Sequence, residues 1–345
     1  MYLNSIDYFR AITIMIIVAA HCDGLLVLWH PSSIPEKAFI NFIRGGSHFF
    51  VFISGFLFHE VYYKKFYYTK FINKKISKVL LPYLIMSFVP VIYLTFIKNR
   101  GFYEVQEMKD SVFNVMIYYA TGSTFEPYWY IPFIMIIFIV SPIFIIFINA
   151  NIRIQVCVFT VTYLIAMIIH RPIDNINVVQ NVMYFSPIYL FGILCSMYKK
   201  DIYELSRSWV ILLYAAAAII LIFQANSTDV IGNYHKDLFR FNGIDIMLIQ
   251  KTIMALALMV WLHKYEQKNN KYLKYMATVS FPIYFLHPYI IIIIIKLKLS
   301  HINIYIDSNI ISLLLYTFMV VGSCMILASI IKKYFKKYSH IFIGW

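Results

Sequence analysis

Apolar residues run through the chain in long blocks, and short clusters of Lys, Asn, Pro and Gly separate them. The blocks fall at about 8–28, 42–60, 79–97, 129–148, 155–170, 183–198, 209–224, 246–263, 278–296 and 309–331. A helix needs about 20 apolar residues to cross hydrocarbon, so most blocks suffice, and the shorter ones would tilt or extend into their flanks. The pattern predicts an all-α polytopic integral membrane protein of about ten transmembrane helices. Lysines between the blocks set its direction. With the N-terminus inside, the segments 61–78, 149–154, 199–208, 264–277 and 332–345 are cytoplasmic and hold 18 Lys and Arg, against 8 in the five outer segments. Positive residues favour the cytoplasmic side, so both termini are expected there.

The longest outer segment, 98–128, contains an apolar stretch at 112–119 that reads as an interfacial or re-entrant piece. No loop is long enough to build a soluble core. Residues 1–345 are therefore expected to form a single membrane-embedded domain, with any chemistry inside it or at its faces.

Composition sharpens this picture. Of 345 residues, 61% are hydrophobic and 13% charged, and the mean hydropathy is +0.72. A soluble protein of this size needs more polar surface. The net charge of +14 lies in the inner loops, which argues for membrane topology and against a nucleic-acid partner. No basic leader or small-residue cleavage site is expected at the N-terminus. Cys22, Cys157, Cys195 and Cys324 occupy separate apolar blocks, so neither a disulfide framework nor a metal site is expected.

The first block carries the sharpest chemical signal. Arg10 and His21 are eleven residues apart. At about 100° per residue that is three turns plus roughly 20°, so both side chains share one helix face, roughly 16 Å apart along the axis. Ionisable groups at membrane depth are costly and usually functional. Arg10 either snorkels to the inner surface or holds a phosphate there, and Asp7 one turn earlier can orient it.

Among the ten histidines, His21, His48 and His287 lie within helices at depths compatible with one cavity, as ligands of chemistry or as structural groups. His30, His235, His301 and His340 read as solvated, and His59, His170 and His263 as helix-end rings. Arg44 precedes Gly45-Gly46-Ser47 at the outer start of the second helix, as an anchor or beside a ligand. Lys74 and Lys78 share a helical face in the inner basic stretch, as anchors or as an anion site. Glu126 and Trp129 stand in the aromatic run opening the fourth helix, which suits either a membrane-edge belt or a sugar-binding mouth.

Four runs together resemble the membrane acyltransferase-3 family, integral-membrane O-acyltransferases of cell-surface glycans. They are Ile6-Asp7-Tyr8-Phe9-Arg10 followed by His21, the run Phe49-Phe50-Val51-Phe52-Ile53-Ser54-Gly55-Phe56 with Arg44 upstream, the basic stretch from Lys74 to Pro82-Tyr83, and Ser280-Phe281-Pro282-Ile283-Tyr284-Phe285-Leu286-His287-Pro288. They occur in the family's order across most of the chain. The basic stretch has lysines where arginines are usual, Tyr128 precedes Trp129 where His or Leu is frequent, and His48 stands where a small or apolar residue is usual and inherits no role. The resemblance implies acetyl-CoA, or another short acyl-CoA, as donor, no metal, and a glycan acceptor. It implies donor contacts at Arg10, Lys74 and Lys78, catalysis at His21 and His287, and acceptor contacts at Arg44, Glu126, Trp129 and Tyr284. The richness in Ile, Lys, Asn and Tyr suggests an AT-rich bacterial gene, so a multi-pass place in a bacterial inner membrane is expected. A polysaccharide transporter is the alternative, though neither internal repeats nor broken helices stand out.

Overall fold

The computed structural model describes residues 3–26, 29–97, 111–227, 231–301 and 308–345. The outer-loop residues 98–110 and 302–307, and the side chain of His301, lie outside the described residues. The described chain is helical, and its only β feature is an isolated bridge between Arg171 and His235. Among the described residues eight helices are long and apolar enough to cross a membrane, and nine if a bent pair counts as one span.

Helix α1 (Asn4–Cys22) stands in the protein's interior. Two thirds of its apolar window is buried (67%), against 11% for Ile152–Ile169 and for Arg207–Asn226, whose bare Val, Ile and Leu side chains suit lipid. The second apolar block is divided. Helix α2 (Ile34–Ile43) ends at Arg44, Gly45 turns with φ of +75°, and α3 (Ser47–Leu57) follows, continued by a π turn to Tyr62. Gly45 tolerates the left-handed backbone that a single helix over 42–60 would forbid. At eleven α residues plus five π residues, the second part is shorter than any of those eight helices, but it lies at the centre of the fold.

Helix α4 (Tyr68–Ile97) begins eleven residues before the block at 79–97, so the basic stretch is helix rather than loop. Its two π turns, Ile76–Leu80 and Tyr93–Ile97, accompany Pro82 and Pro90, which lack the N–H that would bond four residues back. The carbonyl of Met86 that Pro90 leaves free accepts the Tyr289 hydroxyl instead. The stretch at 112–119 is helix α5 (Ser111–Thr121). Helices α6 (Tyr130–Ile139) and α7 (Ser141–Asn149) meet at a 55° bend beside Pro142. Then come α8 (Ile152–Ile169), α9 (Val178–Met197), α10 (Arg207–Ser227), α11 (Ile246–His263), α12 (Lys271–Thr278), α13 (Ser280–His301), α14 (Ile310–Phe335) and α15 (Ser339–Ile343).

The loops sort to two ends, as alternating spans require. At one end Asn4 bonds Glu266, Lys199 pairs with Glu60, Tyr203 stacks on His263, and Gly344 sits by the carbonyl of Lys78. All of these belong to the segments expected inside, or to their edges. At the other end Asp23 pairs with Arg44, Arg44 bonds the carbonyl of Ile231, and the backbones of Arg171 and His235 bridge.

Helices α3 and α9 cross at backbone contact. A Cβ on Gly55 would lie 2.0 Å from the Tyr189 carbonyl oxygen, and one on Gly192 would lie 2.1 Å from that of Phe52. Small residues at such seams let membrane helices approach closely. Gly192→Leu is therefore expected to force the pair apart and lower the yield of monodisperse, folded protein in detergent chromatography to about a tenth or less. Gly322→Leu, where a Cβ meets open space, is the control.

The start of α2 responds to acid. Glu36 accepts hydrogen bonds from the Ser33 hydroxyl and backbone, from the Trp29 indole and from the Ser32 backbone, which together lower its carboxyl to about 2. A depressed carboxyl stabilises the fold above its unfolded value near 4.5 and loses that contribution as pH falls toward 2. Trp29 fluorescence is expected to change between pH 4.5 and 2, and the same change should be missing from Trp29→Phe.

Candidate active site

Helix α1 ends just after His21, because Asp23-Gly24-Leu25 tightens into a 3-10 turn. His21 is thus in the last turn of its helix rather than part-way along a span running to residue 28. Its imidazole borders a cavity of about 1140 Å³ among the loops of the end expected outside. Glu126 Oε2 lies 3.3 Å from His21 Nδ1. A carboxylate only accepts, so this contact places the proton on Nδ1 and leaves a lone pair on Nε2.

His287 stands behind His21, with ring centroids 5.4 Å apart. Its Nδ1 donates to the Ile283 carbonyl at 3.0 Å, one turn back, and its buried Nε2 has no hydrogen-bond partner among the described residues. It does not reach the cavity wall; Tyr284, one turn earlier, does. The Tyr284 hydroxyl donates to the Pro127 carbonyl at 2.6 Å, and the neighbouring Tyr128 hydroxyl donates to the Phe285 carbonyl at 2.8 Å. Two tyrosines therefore tie the turn that carries Glu126 to α13.

Arg10 reaches the same helix at its inner end. Nη2 donates to Ser280 Oγ at 3.2 Å, and Asp7 lies 3.6 Å from Nη1, the one-turn pairing that the spacing predicts. Ser280 and His287 are seven residues apart and share a face. Arg10 and His21 therefore both look onto α13, as a common α1 face requires.

Trp129 lines the cavity, and the Arg171 guanidinium lies 5.1 Å from its ring centroid. Arg44 lines it too, paired with Asp23. At the inner end the basic side chains divide. Lys74 and Lys78 are exposed, while Lys75 turns inward, its ammonium 4.2 Å from the Phe138 centroid and 5.0 Å from that of Tyr62. Lys75 is the lysine on which Arg10, Lys74 and Lys78 all act electrostatically. It follows Phe71 by four residues, and that buried phenylalanine was the sequence sign of its inward face. Nothing comparable marked Arg171, which reads as a loop cation until α9 folds beside it.

His48 keeps away from the cavity wall and has both ring nitrogens engaged. The four cysteines form no disulfide. Among the described residues no group of three or more His, Cys, Asp or Glu is placed to hold a metal.

The sequence model of an acyltransferase domain matches residues 3–329. The chain belongs to the membrane acyltransferase-3 family. No curated protein and no solved structure matches it. The protein is thus a multi-pass membrane acyltransferase, and the four runs singled out in the sequence fall within the matched span.

Replacing Tyr284 by Phe removes one of two hydrogen bonds at the Pro127 carbonyl, which also accepts the Tyr130 backbone N–H. The net loss of one such bond is about 0.5–1.5 kcal/mol. Tyr284→Phe is expected to lower the thermal unfolding midpoint of the detergent-solubilised protein by a few degrees, whereas Tyr272→Phe, on an exposed ring, should leave it unchanged.

Proposed function

We propose that this acyltransferase moves a short acyl group, acetyl first among them, from acyl-CoA to a hydroxyl of a cell-surface or lipid-linked glycan in a bacterial inner membrane. The observation that carries the reading is His21, oriented by Glu126, at the wall of a large cavity opening on the side opposite the basic end. A base held by a carboxylate through its other nitrogen is the arrangement that activates hydroxyl nucleophiles. The volume of about 1140 Å³ exceeds the usual range for small-molecule pockets, which suits an acceptor of more than one sugar.

His21 Nε2 takes the proton of the acceptor hydroxyl as its oxygen attacks the thioester carbonyl. The tetrahedral intermediate collapses, the C–S bond breaks, and the sulfur leaves with the proton returned by His21. An ester and a free thiol result. Glu126 keeps the imidazole in the productive tautomer and offsets the imidazolium charge. His287 supports His21 from behind. Arg10, with Lys75 near it and Lys74 and Lys78 flanking Lys75, supplies positive charge for the coenzyme phosphates, and the pantetheine arm follows the seam between α1 and α13. Lysines hold phosphate as point charges rather than as planar forks. Arg44, Trp129 and Tyr284 face the acceptor, with the indole offering an apolar face to a sugar ring.

Positioned general bases contribute about 10²–10⁴-fold. His21→Ala is expected to cut acyl transfer by at least that lower factor at unchanged protein level, and Arg10→Ala to raise the donor KM more than it lowers kcat. The assay is coenzyme A release from labelled acetyl-CoA by protein in liposomes, with mass spectrometry of the glycan. Full glycan acylation by His21→Ala rejects the assignment. Translocation of unmodified glycan without coenzyme A release would favour a transporter.

A further inference from the structure

One buried cluster of titratable groups takes no part in the acyl transfer. His48 is 1% exposed. Its Nδ1 lies 2.8 Å from the Gly45 carbonyl oxygen, and its Nε2 lies 3.0 Å from the Tyr184 hydroxyl. That hydroxyl lies 2.7 Å from Asp245 Oδ2, and Asp245 Oδ1 accepts the Leu248 backbone N–H at 3.1 Å.

The hydrogens along this chain can be counted. The Gly45 carbonyl only accepts, so His48 Nδ1 carries a hydrogen. The contacts from Nε2 to the tyrosine oxygen, and from that oxygen to Oδ2, need two more. Tyr184 supplies one. A neutral imidazole already protonated on Nδ1 and an ionised carboxylate supply none. One additional proton must therefore lie on Nε2 or on Oδ2. In either place the trio is neutral overall, as imidazolium with carboxylate or as imidazole with carboxylic acid, and the proton belongs to the group rather than to one residue.

We infer that His48, Tyr184 and Asp245 form a buried binding site for a single proton, and that this proton fastens the wall of the outer cavity. The three residues come from different elements: His48 from α3, Tyr184 from α9, and Asp245 from the cap of α11. Gly45, Gly46 and Ser47, beside His48, line the cavity. Lys251 grips the same turn from α11, donating to the carbonyls of Asn41 at 2.9 Å and Phe42 at 2.7 Å. Those carbonyls end α2, where a cation is favoured.

Burial raises the Asp245 carboxyl, while the Tyr184 hydroxyl, the Leu248 N–H, His170 and Arg171 favour its ionised form; Arg171 and Lys251 are the cations that also face His48. Tyr163 lies near both Tyr184 and Asp245. Rising pH therefore empties the site and leaves two lone pairs facing each other across a hydrogen-bond distance.

An amide at 245 mimics the protonated carboxyl. In Asp245→Asn, the amide oxygen still caps Leu248, the amide nitrogen donates to Tyr184, and Tyr184 donates to a neutral His48. Every bond is then satisfied without the shared proton. The experiment is the thermal unfolding of full-length, detergent-solubilised wild type, Asp245→Asn, Asp245→Ala and Tyr184→Phe at pH 7 and pH 10. At pH 7, Asp245→Asn should unfold close to wild type, with Asp245→Ala and Tyr184→Phe several degrees lower. Between pH 7 and 10, wild type should lose more of its midpoint than Asp245→Asn. The inference is overturned if Asp245→Asn falls with Asp245→Ala at pH 7. It is equally overturned if wild type and Asp245→Asn lose the same amount on going to pH 10.

Discussion

A charged or titratable side chain is tolerated at membrane depth only where protein replaces lipid around it. Helix α1 meets that condition, and the other helices are arranged to provide it. Its apolar window is mostly enclosed, whereas α8 and α10 bury only 11% of theirs. The enclosure lets Arg10 and His21 face one neighbour, α13, whose Ser280 and His287 are spaced to meet them. The backbone-close crossing of α3 and α9 serves the same end. By packing at glycines, those helices bring the rim of the cavity and the groups beneath it within hydrogen-bonding reach.

The cavity shows how a few hydrogen bonds convert helix packing into chemistry. Glu126 lies on a short turn that packing alone would leave free to move. Tyr284 and Tyr128 fix that turn to α13 through backbone carbonyls. The carboxylate then stands beside His21, and the imidazole tautomer follows from which partner can only accept. At the basic end the logic is Coulombic: Arg10, Lys74 and Lys78 gather around Lys75, whose ammonium lies against aromatic rings.

Much of this could be read from the sequence, for reasons of period and charge. Apolar blocks gave the helices, lysine placement gave two ends that the loop contacts respect, and the eleven-residue interval put Arg10 and His21 on one face. Other features depend on the backbone or on distant partners. The break at Gly45 was hidden because paired glycines suit close packing as well as a turn. Helix α4 starts early because its lysines lie on a continuous helix, a possibility that a charge run disguises. The inward turn of Lys75 is local and was legible beside Phe71, but Lys74 and Lys78 were the pair that spacing favoured. His48 gave no sign of its chain, because Tyr184 is 136 residues away.

The two ends of the molecule are built from different material. The basic end is set by helices α1, α4 and α13, whose register is locked by core packing. The rim of the large cavity is mostly turns and loops, at 23–24, 44–47, 122–127, 171–176 and 233–235. Loops accept substitution and insertion far more readily than packed helices do. A scaffold built this way can therefore change the lining of its large cavity without disturbing the packed helices at the opposite end.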